Sequence, residues 1–136
     1  MRRAGHTLVE LITVVLILSI LACIAVPRLN LAAATASTAD ATASRIVTDL
    51  RRARSNAILY AARNPQGFAL IMTGAEPYRG YQIVDLREDA VVVAADIPAG
   101  VRCDGGRRFE FGPLGNLRSG SDSELYVTSD TRTYVV

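Results

Sequence analysis

The 136-residue chain has no tryptophan, no lysine and only one histidine, and it carries two cysteines and five prolines. The lone histidine, His6, sits at the N-terminal edge, so no His-based triad or zinc site can be built in the rest of the chain. Cys23 and Cys103 are too few and too far apart for a disulfide framework. Cys23 reads as a small apolar residue within a hydrophobic run, and Cys103 as a buried or half-buried thiol with an intermolecular link as the minor option. Because lysine is missing, all 15 basic residues are arginine. Setting aside Arg2 and Arg3 leaves 13 arginines against 13 Asp and Glu, so the remaining side chains balance. The basic surplus of a dedicated nucleic-acid binder is therefore lacking. Gly105-Gly106 has no strand-to-helix context for a phosphate loop. Glu88-Asp89 reads as a solvated turn, and Gly120–Glu124 lacks the dense oxygen spacing of a calcium loop. No catalytic residue, metal or cofactor is expected.

One feature is conspicuous by its presence. Leu11–Val26 contains no charge, and Glu10 stands at its mouth. A carboxylate beside such a run is costly in an apolar setting, so it calls for a cationic partner. If the chain were cut after Gly5, a new α-amine at His6 would appear about one helical turn from Glu10, and such an amine is cationic at neutral pH. With subunits packed side by side, the Glu10 of one subunit would pair with the new terminus of its neighbour. With Thr7, Leu8 and Val9 the run reaches spanning length of roughly 20 residues. Arg2 and Arg3 then place the N-terminus in the cytoplasm by the positive-inside rule.

These residues resemble the leader of type IV prepilins and type II secretion pseudopilins. Such leaders are short and basic and end in Gly. A residue that is usually Phe, then Thr-Leu-x-Glu and an apolar helix, follows. Here the matching positions are Gly5, Thr7, Leu8 and Glu10, with His6 where Phe is usual. The resemblance implies cleavage between Gly5 and His6 by a prepilin peptidase, N-methylation of His6, and an assembly role for Glu10. It also implies partnership with other pilins or pseudopilins, with an inner-membrane assembly platform and with the membrane itself. Ile20-Leu21-Ala22-Cys23 loosely resembles a lipoprotein cleavage box instead, but Leu21 fits poorly and Glu10 interrupts the hydrophobic start.

Pro27 is expected to kink or loosen the helix. Arg28 to Arg63 contains neither Gly nor Pro, and Ile46, Leu50, Ala53, Ala57 and Ala61 recur at helical spacing, widened by Val47 and Ile58. Arg45, Asp49, Arg52, Asn56 and Arg63 are read as lying on the other sides. Asn64-Pro65-Gln66-Gly67 ends the helix. Strands are expected at Phe68–Met72, Tyr81–Leu86, Ala90–Ala94 and Arg107–Phe111, with Glu124–Thr128 and Arg132–Val136 forming a closing hairpin. The fold expected is α+β: a long N-terminal helix, membrane-spanning in its first half and amphipathic in its second, packed against a C-terminal antiparallel β-sheet. The division is a leader over 1–5, a transmembrane and assembly helix over 6–27, and a periplasmic head over 28–136, with helix at 28–64 and sheet at 67–136.

Three further segments narrow the resemblance to the H-type minor pseudopilins (GspH/FimT-like). They are Arg54-Ser55-Asn56-Ala57-Ile58, Ile97-Pro98-Ala99-Gly100-Val101 and Phe111-Gly112-Pro113-Leu114-Gly115. The expected function is that of a structural subunit of a type II secretion pseudopilus or type IV pilus, held in the bacterial inner membrane by a single pass before assembly. The alternative is a pilus-displayed binding module for DNA or a secreted substrate, with Arg107 and Arg108 as the candidate DNA contacts.

Overall fold

The computed structural model describes residues 8–129 and 132–136, with side chains throughout except over 24–36. The chain divides into two compact units, Met1–Ala34 and Thr35–Val136, each considered by itself. Helical backbone α1 is assigned over Leu8–Leu59, and its described side chains fall into two stretches, 8–23 and 37–59.

The long membrane-spanning helix expected from the sequence is overturned. Among the described residues no helix is long and apolar enough to cross a membrane. The single-pass inner-membrane placement falls with it.

In the second unit, α1 seats a face of small residues on β-structure. Ala39, Ala43, Ile46, Ala53 and Ala57 are buried there, with Leu50 packed at the margin. Their spacing of three and four keeps them on one helical face. Helix α1 ends at Leu59, and residues 60–63 continue as turns held by Tyr60 N–H to Asn56 O and Asn64 N–H to Tyr60 O (2.9 and 2.7 Å). Asn64 closes the corner. Its side-chain oxygen accepts the Gln66 and Gly67 N–H groups at 3.0 and 2.9 Å, and its amide donates to Gly67 O and Asp85 Oδ1. Gly67 has φ 82°, and a Cβ there would lie 2.0 Å from Phe111 O, so only glycine fits.

Seven antiparallel strands follow among the described residues: β1 Phe68–Thr73, β2 Gly80–Asp85, β3 Ala90–Asp96, β4 Arg102–Gly105, β5 Arg108–Phe111, β6 Leu125–Thr128 and β7 Thr133–Val135. They form two sheets where one was expected, in the orders β3-β2-β1-β5 and β4-β6-β7. The division arises because β4 pairs with β6, Cys103 facing Val127, and the chain then turns at Gly105-Gly106 to bring β5 alongside β1. The two sheets share one core with the helix: Leu70, Met72, Ile83 and Phe109 from the first, Cys103, Leu125 and Val127 from the second.

The alanine face leaves no room for growth. Ala53→Leu is expected to overpack the helix–sheet seam and cost about 1–3 kcal/mol, read as a lower midpoint in chemical denaturation, whereas Arg52→Leu on the exposed side leaves the midpoint nearly unchanged.

Candidate functional site

The first described stretch of α1 is apolar on every side. Eleven large hydrophobic side chains between Leu8 and Leu21 are 51–74% exposed. The two hydroxyls among them are turned inward: Thr13 Oγ1 donates to Val9 O and Ser19 Oγ to Val15 O, both at 2.8 Å. Satisfying each hydroxyl on the carbonyl four residues back removes it from the outer surface. Glu10, also exposed, is the single charge between positions 8 and 23. A helix hydrophobic all round is a helix made to be covered. Leu8 and Glu10 thus lie on this stretch. Gly5, His6 and Thr7 lie outside the described residues, and Pro27 falls within 24–36, whose side chains are outside the description too.

The head supplies two polar junctions that sequence reasoning missed. Asp49, read as lying on an outer side of the helix, is buried at 9% exposure. It is in phase with Ile46 and Ala53, and its Oδ2 accepts the Tyr81 hydroxyl at 2.6 Å. Burial first, then the hydrogen bond to Asp49, pushes the Tyr81 phenol well above its ordinary value, the Arg45 charge opposing. The signal was available in the i, i+3, i+7 spacing of Ile46, Asp49 and Ala53, but an acid in that series reads as solvated unless a donor is known to face it.

The second junction is Asp122. Its Oδ2 accepts the backbone N–H groups of Arg107 and Arg108 at 2.7 and 2.9 Å, which fixes the start of β5. Those two bonds, the one from Arg108 the larger, hold the carboxyl below the usual carboxylate range. The same contacts bear on the candidate DNA contacts. Arg107 and Arg108 are both exposed, but a carboxylate sits against their backbone, and the Arg108 guanidinium is paired with Glu110. Of the neighbouring arginines, Arg102 lies 4.0 Å from Asp104 and Arg118 donates to Pro65 O at 3.1 Å. A phosphate at the Arg108 guanidinium would have to displace Glu110, and one at Arg102 would compete with Asp104.

Cys103 is fully buried in the shared core, and burial, with the Asp104 charge beside it, pushes its thiol up to about 11. A thiol so placed is a packing group, which removes the intermolecular link considered from the sequence. Two of the segments that carry the resemblance meet in space: a Cβ at Gly115 would lie 2.6 Å from Ile58 Cδ1 and 3.3 Å from Arg54 Nε. An open groove of about 450 Å³ lies at the helix end, lined in part by Arg52, Tyr60, Arg63, Phe68 and Arg87. Among the described residues no group of His, Cys, Asp and Glu is arranged to hold a metal ion.

Compared with known proteins, the chain matches no family model, no curated protein and no solved structure.

Removing the donor to Asp49 leaves a buried acceptor unsatisfied, so Tyr81→Phe is expected to lower stability by about 1–3 kcal/mol, measured by urea unfolding at neutral pH. For Asp122 the sign follows from its lowered value. Its contribution is complete above the unfolded carboxyl range near pH 4 and fades as pH falls through the lower folded value. Asp122→Asn should therefore reduce stability at neutral pH and flatten the loss between pH 5 and pH 2, a comparison read from thermal unfolding across that range.

Proposed function

We propose that the chain is a structural subunit of a filament, an H-type minor pseudopilin of a type II secretion pseudopilus or a type IV pilus. In this reading a prepilin peptidase cuts between Gly5 and His6, His6 is N-methylated, and the subunits assemble through the helical stretch that begins at Leu8.

The observation that carries the reading is the apolar helix surface over 8–23, with its hydroxyls satisfied internally. Exposed apolar patches beyond a few hundred Å² mark interaction sites. Equivalent helices of neighbouring subunits supply a matching surface, and side-by-side packing of identical apolar helices repeats without limit along an axis. Glu10 gives that packing a register. Placed near the start of the helix, it meets the α-amine created at His6 of an adjacent subunit, and an ion pair out of water rewards only good geometry. Thr7 and Leu8 complete the motif around it by resemblance. The head, folded around its own core, then presents its surface along or at the tip of the fibre. The alternative of a DNA-binding module has less to support it, since Arg108 is paired with Glu110 and Asp122 sits against Arg107 and Arg108.

Intact-mass analysis of the chain expressed with and without a prepilin peptidase is the direct test. Loss of Met1–Gly5 with the peptidase is expected, with a methyl group on the new terminus. Gly5→Leu should block the cut. Glu10→Ala should leave the cut intact but abolish incorporation into filaments, scored by sedimentation of sheared fibres. An unchanged mass in the presence of active peptidase, or normal incorporation of Glu10→Ala, would sink the proposal.

A further inference from the structure

Sheets end in edges, and an edge presents unpaired N–H and C=O groups to any strand that comes near. Three edges of this head are managed. The outer side of β5 is covered by 117–122, through Arg118 N–H to Glu110 O, Asp122 N–H to Arg108 O and a bridge between Phe111 and Leu117. The outer side of β4 receives the Tyr78 N–H on Cys103 O at 2.9 Å. Strand β7 is only three residues long.

Strand β3 is different. It is the longest strand at seven residues, it stands at the end of the order β3-β2-β1-β5, and Ala90–Ala95 carries no charge. Val91 and Val92 are 54% and 46% exposed. The register with β2 shifts between Ile83 and Val84, leaving Val92 as the extra residue of a bulge. Beyond the bulge the ladder is regular. Ile97 N–H donates to Arg79 O at 2.9 Å. By the two-residue alternation of a strand, Val93 and Ala95 therefore address β2, while Ala94 and Asp96 turn their backbone groups outward. Both ends of the strand are acidic: Glu88 and Asp89 precede it and Asp96 closes it, all exposed. Arginines stand near both ends. At one, Arg87, directed away and donating to Arg63 O, lines a groove with Glu88, Arg52 and Arg63. At the other, Arg45 lines a groove with Asp96, and Arg79 lies opposite Ile97.

We propose that the outer edge of β3 is a strand-addition site for an extended segment of another protein, with an apolar, β-branched centre flanked by lysine or arginine. Backbone groups of Ala94 and Asp96 supply the rungs, Val91, Val92 and Ala94 supply apolar contact, and the acids at the two ends select basic flanks. A second copy of β3 is a poor occupant. Paired antiparallel about Val93, Ala90 would face Asp96 and bring Glu88 and Asp89 of each strand towards the other's Asp96; paired parallel, the same acids would stack side by side. The inference is independent of the filament reading and holds for the head whatever the N-terminal helix does.

The probe is a blocked synthetic peptide with a Val-Thr-Val-Thr-Val centre and two lysines at each end, compared with a twin carrying glutamates in place of the lysines. With the full chain, the lysine peptide should bind and protect the amides of Ala94 and Asp96 from hydrogen exchange, and the glutamate twin should bind about tenfold more weakly or worse. Glu88→Lys combined with Asp96→Lys should erase or reverse that preference. Ala94→Pro removes one outward donor without touching the β2 ladder and should weaken the lysine peptide about tenfold. If Ala94→Pro fails to fold, as judged by its unfolding transition, the charge-reversed variant decides alone. The proposal is overturned by equal binding of the two peptides, by absence of protection at Ala94 and Asp96, or by protection there that grows with protein concentration when no peptide is present.

Discussion

The hydrogen bond from Tyr81 to Asp49 sets the position of helix on sheet. The face that α1 lays against the strands is built from Ala39, Ala43, Ile46, Ala53 and Ala57. Alanines permit close approach but specify little, because one turn of such a face looks much like the next. A carboxylate in the same row changes that. Moved by one turn, Asp49 would be buried with no donor opposite, and an unsatisfied buried acceptor costs far more than a made bond gains. The Tyr81 phenol is equally committed, since its place at 2% exposure requires an acceptor for its proton. The pair thus fixes register where the apolar residues fix only contact, the kind of specificity best attested for buried polar groups.

The same economy recurs at the chain reversals. Asn64 satisfies two backbone donors and one backbone acceptor, and ties the helix-to-strand corner to Asp85. Asp85 in turn caps the Arg87 N–H after β2. Asp122 gathers the two amides that open β5. Each turn is closed by a side chain that the next strand needs in place. Among the described residues no buried side-chain nitrogen or oxygen lacks a partner. A head of about 100 residues has only a small core, and it meets that limit by having its polar interior complete.

Much of the head was legible in the sequence because period-two and helical patterns were each local. Phe68–Met72, Tyr81–Leu86 and Ala90–Ala94 announce β1, β2 and β3 by their Val, Ile and aromatic content, and the Gly-free, Pro-free run from Arg28 to Arg63 announces helix. Strand β4 was missed because Arg102–Gly105 offers one apolar residue, Cys103, whose inward alternation with Val101 is too short to register. The split into two sheets was not legible at all, since it depends on Cys103 finding Val127 across a sequence gap. Asp49 was misplaced for a related reason: the spacing put it on the core face, but only the position of Tyr81 makes that tolerable. The largest error concerned the N-terminal run. Counting apolar residues from Thr7 through Val26 gave a membrane span, whereas no helix among the described residues is long and apolar enough for one.

Hydrophobicity on all sides states only that the surface is to be covered, and it does not name the cover. Thr13 and Ser19 bond their own helix, so neither marks a polar side that would face water or favour one neighbour. Glu10 is the one side chain between 8 and 23 able to tell one axial position from another. A bundle of identical helices held by Leu, Val and Ile alone would slide freely, for the reason that an alanine face slides on a sheet. A single carboxylate near the helix start removes that freedom, because each step away from a cation exposes a charge to an apolar wall. The head and the helix therefore rest on one physical device, a lone acid in an apolar row: Asp49 sets register within the head, and Glu10, in the filament reading, sets it between subunits.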